Sequence, residues 1–410
     1  MGSKNIFALT NGKVLTPLRV INKGTVLIKG DSILEVGSVG EVKIPENAKI
    51  YDAAGKYISP GFIDIHVHGG GGGDASEGTC DSIRTMAKAH AAGGTTSLLA
   101  TTFTAPIEEL EKAFGAIEEV SKEAIHGGAR VLGCHMEGPY FNLEQAGAQN
   151  PKYLKSPKAE EYLRLLDRYK ILRRISAAPE LPGALEMGKE LQRRGVVASI
   201  AHSNATYQEV VKAVESGYTH VTHLYSGMSM MRRIDSYRVS GVVEATLLMD
   251  ELTAEVIADG HHLPPSLLKL ILKAKGLDKV CVVTDSMASA GLGPGEYTFG
   301  GLDVVVETNI PESFEIQEEE GNYVAKLADR SAFAGSVATM DQVVRTMTNL
   351  VGLNIPDAVK LATINPAKVI GISAERGMIV PGMKGDIVIF NDDIVPYLTV
   401  VEGEVAFERK

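Results

Sequence analysis

The chain has 410 residues, 44% of them hydrophobic and 22% charged, and a formal net charge of −10. That length exceeds a typical single domain, so one large domain with a small companion is expected, with the composition of an ordinary globular protein. The acidic balance excludes sequence-independent binding to nucleic acid or an anionic membrane, which needs a basic face, yet it leaves room for a small anionic substrate in a locally basic pocket.

The opening stretch, MGSKNIFALTNGKVLTP, lacks the basic-then-apolar layout of a signal peptide. No apolar run approaches the roughly 20 residues that span a bilayer. Residues 1–58 read as short strands joined by tight turns, with Asn-Gly in IFALTNGKVLTP and Gly-Asp in GTVLIKGDSILEVG. The far C-terminus, GDIVIFNDDIVPYLTVVEGEVAFERK, has the same rhythm. Neither end has the apolar length for its own core, so one small β-sandwich built from residues 1–58 and 376–410 is expected.

Between them, residues 59–375 alternate apolar strands with helical stretches. TSLLATTFT precedes PIEELEKAFGAIEEVSKEA; ARVLGCHME precedes a helix near 158–170; RRISAAPE precedes LPGALEMGKELQRRG; VVASIAH precedes ATYQEVVKAVESG. YTHVTHL, TAEVIADG, PPSLLKLILKAKG and KVCVVTD follow. Repeated strand–helix units predict a parallel sheet, and about eight of them favour a closed (β/α)₈ barrel over an open doubly wound sheet. Residues 297–330 break the rhythm with β-rich runs and read as a hairpin insertion before a last helix starting near Val337. The three cysteines, Cys80, Cys134 and Cys281, are odd in number and widely spaced, the pattern of free thiols in a reducing, cytoplasmic compartment.

The strand ends carry the chemistry. In PGFIDIHVHGGGGGD, a strand would turn Asp64, His66 and His68 to one face. Two imidazoles together suit a metal ion. VLGCHMEGPY ends at Glu137, VVASIAHSNAT at His202, YTHVTHLYSGM at His223 and KVCVVTDSMASAG at Asp285. Each alone has a plain explanation, since polar residues cap the helices that follow strands. Metal-binding types at the ends of five strands, where barrels place active sites, point to a metal centre. Outside this set, His220 reads as structural, His135 as a residue orienting a ligand, and His261 as a packed neighbour. His90 and His126 read as solvated or core residues. Glycines 69–73 read as a sharp backbone bend over the centre.

These stretches resemble the amidohydrolase superfamily, and within it the N-acetylglucosamine-6-phosphate deacetylases. PGFIDIHVHG, HMEGPYFN, AHSNAT, THLYSGM, IADGHH, VTDSMASAG and AGSVATMDQVVR carry the resemblance, in that order, over about residues 50–390. The His-X-His pair is shared widely in the superfamily; Glu-Gly-Pro with Ala-Asp-Gly-X-His and Thr-Asp is far more specific. The resemblance implies that Glu137, His202 and His223 hold the metal present throughout the family. It implies that His66 and His68 can hold a second, with Glu137 bridging, that Asp285 is the catalytic aspartate and that His262 contacts substrate. Zinc is foremost among the ions implied, with iron, manganese and cobalt accepted by the same donors.

The sequence also departs from the family. Gln149 stands where a histidine usually contacts the acetyl carbonyl, and Ser226-Gly227 replaces Asn-Ala. The arginine that binds phosphate in the neighbouring subunit of a homodimer has Arg232 and Arg233 as candidates, ahead of Arg238. The implied reaction is metal-dependent deacetylation of an N-acetylated amino-sugar 6-phosphate, N-acetylglucosamine 6-phosphate foremost. N-acetylgalactosamine 6-phosphate and an unphosphorylated N-acyl sugar are the alternatives, then another acyl or cyclic amide. Many cyclic amidases bridge their metals with a carboxylated lysine, a role that Glu137 would fill here. A non-catalytic scaffold would have lost ligands that this chain keeps.

Overall fold

Runs such as TSLLATT and VCVV are buried along their whole length, as parallel strands covered by helices must be. The computed structural model describes residues 6–308, 310–311, 313–316 and 323–410. Eight such strands form one parallel sheet: β1 (Phe62–Val67), β2 (Thr95–Thr102), β3 (Arg130–Glu137) and β4 (Leu172–Ala177). β5 (Val197–Ile200), β6 (Tyr218–Val221), β7 (Thr253–Ile257) and β8 (Val280–Val283) complete it. Each pairs with its neighbour in chain order. The Asp285 N–H donates to the His66 carbonyl at 2.9 Å and the His68 N–H to the Ser286 carbonyl at 2.9 Å. These bonds bring β8 against β1 and close the barrel.

The covering helices obey the expected periodicity. Ala184–Arg194 buries Ala184, Met187, Gly188 and Leu191, one stripe at helical spacing, and ends at Gly195 in the left-handed region (φ 70°). Tyr207–Glu215 opens with a capping box in which the Thr206 N–H donates to the Glu209 carboxylate at 2.7 Å. Three short helices escape sequence reading. Val242–Leu248 follows a hairpin of Arg232–Ile234 and Tyr237–Val239, and Ile355–Leu361 and Ile364–Val369 follow Met340–Asn349, where one last helix was expected. Seven and six residues are too few to display a 3.6-residue period.

The insertion is a three-stranded antiparallel sheet, Gly295–Phe299, Leu302–Glu307 and Val324–Leu327, where a hairpin was expected. Residues 309, 312 and 317–322 of that stretch lie outside the described residues. The two termini meet in one eight-stranded sheet, joined where Ile387–Phe390 runs antiparallel to Tyr57–Pro60. Alternation along that strand serves two cores. Ile387 and Ile389 pack with Leu9, Val26 and Ile58 of the terminal sheet, while Val388 and Phe390 pack onto the barrel, where Phe390 lies 6.1 Å from Phe62.

Candidate metal centre and active site

The six expected ligands converge at the carboxyl ends of the barrel strands. His66 Nε2 and His68 Nε2 lie 3.2 Å apart, and each reaches Asp285 Oδ1, at 3.2 and 3.1 Å. His223 Nε2 and His202 Nε2 approach Glu137 Oε1 at 2.9 and 3.3 Å, and His68 Nε2 approaches Glu137 Oε2 at 3.3 Å. All six side chains are buried. His202, His223 and Asp285 adopt left-handed backbone (φ 44°, 27° and 48°) just past the ends of β5, β6 and β8. Each such residue costs on the order of 1–3 kcal/mol, a strain typical of functional sites.

Three of the four imidazoles are held through Nδ1 so that Nε2 faces inward, whereas His223 Nδ1 is buried without a hydrogen-bond partner among the described residues. His66 Nδ1 bonds Glu255 Oε1 at 2.6 Å, His68 Nδ1 the Thr101 carbonyl at 3.2 Å, and His202 Nδ1 the Gln145 carbonyl at 2.8 Å. Acceptors at Nδ1 put the proton there and leave the Nε2 lone pair free, the arrangement a metal requires. Burial pushes the Glu137 carboxyl up, but the imidazoles around it, His66 first, hold it well below the usual range. Asp285 is lowered against its burial by His66 and His68. Carboxylates gathered in so dry a place call for a cation. Two groups fit one or two divalent ions and share Glu137: His66, His68 and Glu137, and Glu137, His202 and His223. A third group, His220, Glu255 and Cys281, lies deeper, where the Arg174 guanidinium already neutralises Glu255.

A cavity of about 280 Å³ opens over the cluster. His262 lines it, with Nδ1 fixed by Asp259 Oδ2 at 2.8 Å, and Phe299 and Phe333 bring apolar walls. Gln149 lines it too, but its amide is committed: Oε1 accepts from Thr104 N–H and Nε2 donates to Glu137 Oε2, both at 2.9 Å. Its donor thus faces the shared carboxylate. Ser226 and Gly227 lie in the wall. Gly227 has φ 56°, and a Cβ there would stand 2.7 Å from His202 Nδ1. Gly227→Ala is therefore expected to push His202 off the Gln145 carbonyl and weaken metal binding by about 10–100-fold, read from metal titration of stripped protein. Arg232 and Arg233 do not line this chain's own cavity. Arg232 bonds Asn204 Oδ1 and carbonyl, both at 2.9 Å. Arg233 is exposed on the same hairpin.

Other polar residues take supporting places. His135 packs edge-on to His66 with ring centroids 4.6 Å apart and bonds Ser176 Oγ at 2.7 Å. His220 bonds Thr253 and Glu255, away from both ligand groups. His90 is buried against the Gly69 carbonyl at 2.9 Å, His261 is buried, and His126 is exposed. The glycines form a tight hairpin, Gly69–Gly70 against Gly73–Asp74, with positive φ at Gly71 and Gly72. It packs against the segment after Asp285: a Cβ on Gly69 would meet the Ala288 backbone at 2.6 Å. Sequence reasoning missed Glu255 and Arg174. Glu255 orients His66 and accepts the His223 N–H at 3.1 Å. The signal was a carboxylate inside the apolar strand TAEVI and an arginine inside LRRISA, each needing a buried partner.

Residues 57–406 match the amidohydrolase family. The chain is 32% identical over 400 residues to N-acetylglucosamine-6-phosphate deacetylase of Bacillus subtilis (strain 168), covering 97% of this chain and 96% of that protein. It is 30% identical over 366 residues to N-acetylgalactosamine-6-phosphate deacetylase of Escherichia coli O157:H7, covering 88% and 90%. The crystal structure of N-acetylglucosamine-6-phosphate deacetylase from Pasteurella multocida superposes with a TM-score of 0.87 at 29% identity, covering 98% of this chain and 99% of that one.

Proposed function

We infer the activity from one premise: this chain belongs to the amidohydrolase family, a metal-dependent family. The protein is a hydrolase of an amide C–N bond. It deacetylates an N-acetylated amino-sugar 6-phosphate, N-acetylglucosamine 6-phosphate foremost, to the amino-sugar 6-phosphate and acetate. The observation that carries this reading is the convergence of four imidazoles and two carboxylates beneath a cavity at the barrel mouth. We assign the chemistry to residues 59–375 and a supporting role to the terminal sheet, residues 1–58 and 376–410.

An amide is a weak electrophile with a poor leaving group. Glu137, His202 and His223 would hold a divalent ion, zinc by preference, with a second position at His66, His68 and Glu137, and such an ion would supply Lewis acidity and lower the pKa of water. Asp285, ionised and within reach of the ligand nitrogens, takes the proton of the attacking water and returns it to the departing amine. His262, oriented by Asp259, donates to the substrate from the cavity wall. Gln149 holds Glu137 in place by donating to its Oε2. Its amide cannot carry charge, so this donor does not titrate.

For the phosphate we look to the hairpin. Met230, Met231, Ile234 and Tyr237 are exposed there, Tyr237 at 78%, a surface suited to a second copy of the chain. We assign a homodimer in which Arg232 or Arg233 reaches the partner's cavity, since a guanidinium can grip phosphate with two parallel bonds. Changing Arg232 and Arg233 together to alanine is expected to raise KM for the phosphorylated sugar at least about tenfold, the loss of one charged contact. KM for the plain sugar should stay unchanged. No helix among the described residues is long and apolar enough to cross a membrane, and Cys80, Cys134 and Cys281 are free. We place the protein in the cytoplasm.

Acetate release from N-acetylglucosamine and N-acetylgalactosamine, each with and without 6-phosphate, tests the whole reading. Fastest release from a 6-phosphate is expected. Release from none of the four would overturn the deacetylase reading, and equal rates with and without phosphate would remove the phosphate from it. The galactosamine arm matters because Gln149 and Ser226-Gly227 rebuild the wall and a relative at 30% identity acts on that sugar.

A further inference from the structure

Both ligand groups lean on Glu255, but their remaining supports come from different parts of the fold. His202 is anchored by the Gln145 carbonyl at 2.8 Å, and the backbone of His223 by Glu255. His66 is fixed by Glu255 at 2.6 Å. His68 has the longest of the Nδ1 contacts, 3.2 Å to the Thr101 carbonyl, at the limit of a good N–H···O bond. Its ring is instead held in an aromatic slot. Phe103 stacks on it at 4.0 Å and 15°, and Phe299 meets it edge-on at 5.5 Å and 85°. Phe103 and Phe299 themselves touch at 3.9 Å. Phe103 follows β2, whereas Phe299 ends the first strand of the insertion, with Met287, Val304 and Val306 packed behind the pair.

We propose that Phe103 and Phe299 are positioning residues through which the insertion sets the metal affinity of the His66–His68–Glu137 position, separately from the Glu137–His202–His223 position. The slot fixes the plane of the His68 ring, so its Nε2 lone pair points at the ion without an ordering cost on binding. It also keeps water from that side of the ligand, which strengthens the ion–ligand attraction. No ring contact joins Phe103 or Phe299 to His202 or His223, whose aromatic neighbours are Phe141, His66 and each other. Removing the slot should therefore act mainly on the position that contains His68, with the shared Glu137 as its link to the other.

The inference rests on the metal-dependent reading above, and the test keeps the two apart. Full-length protein is stripped with chelator and titrated with Co²⁺ in the absence of substrate, following uptake by calorimetry and the visible spectrum. The parent is expected to take up about two equivalents in two steps. Phe299→Ala and Phe103→Ala should each weaken one step at least about tenfold, the scale of lost outer support at metal sites, and leave the other within about threefold. Phe299→Leu, which refills the volume, should restore most of the loss. Denaturant unfolding of the stripped variants identifies any that fail to fold, and Phe299→Leu then carries the comparison through a partial, single-step loss. Two unchanged steps in every folded variant, equal weakening of both steps, or uptake of one equivalent by the parent would overturn the inference while leaving the deacetylase intact. A parent that binds no metal would overturn the function as well.

Discussion

Replacing Asp285 with asparagine is expected to cut turnover at least about a hundredfold while leaving the fold and most of the bound metal in place. The side chains are nearly isosteric, and asparagine accepts the left-handed backbone at φ 48° at least as readily as aspartate. What is lost is the capacity to accept a proton. The imidazoles of His66 and His68 hold the Asp285 carboxyl below its usual range, so it is ionised and ready as a base at neutral pH. In the proposed mechanism, once it carries the water's proton it would stand as the acid for the leaving amine. Glu137, His202 and His223 would still offer an ion a site without it. Acetate release beside elemental analysis measures both halves of the expectation. Turnover near that of the parent would move proton transfer to another group.

Arg174→Met should destabilise the fold by about 3–5 kcal/mol, because it strands the buried Glu255 carboxylate. Arg174 and Glu255 are both fully buried and paired through Arg174 Nη1. Arg174 Nη2 also donates to Thr222 Oγ1 at 2.6 Å. Methionine fills much of the volume but brings neither charge nor donors. Burial pushes the Glu255 carboxyl up, and Arg174 is the foremost group holding it down, ahead of His66. Without that guanidinium, Glu255 loses its largest counter-charge and its firm hold on His66. A lowered denaturant midpoint with reduced metal retention is expected. An unchanged midpoint would show that Glu255 finds another partner or does not need one.

The amino-acid sequence alone pointed to the barrel and to the candidate ligands at its strand ends, because both signals are local. An apolar strand that stops at Glu137, His202, His223 or Asp285 states within ten residues where it ends and what it offers there. The terminal sheet was legible for the same reason, through period-2 runs and Asn-Gly or Gly-Asp turns at both ends. Even the departures at Gln149 and Ser226-Gly227 were visible as residues, but their consequences were not.

Only the tertiary structure decided that Gln149 faces Glu137, that Gly227 lies against His202, and that the glycine hairpin packs against the segment after Asp285. It brought Glu255 to His66 across 189 residues and to Arg174 across 81, and it laid Phe299 of the insertion on His68. These relations arise from closure. A strand pattern specifies which face of a residue is buried, but not which of seven other strands stands opposite it. Partner choice in the barrel interior is fixed by register and shear, which are properties of the whole sheet. The ligands could be read one strand at a time; the groups that orient them are defined only when all eight strands are in place.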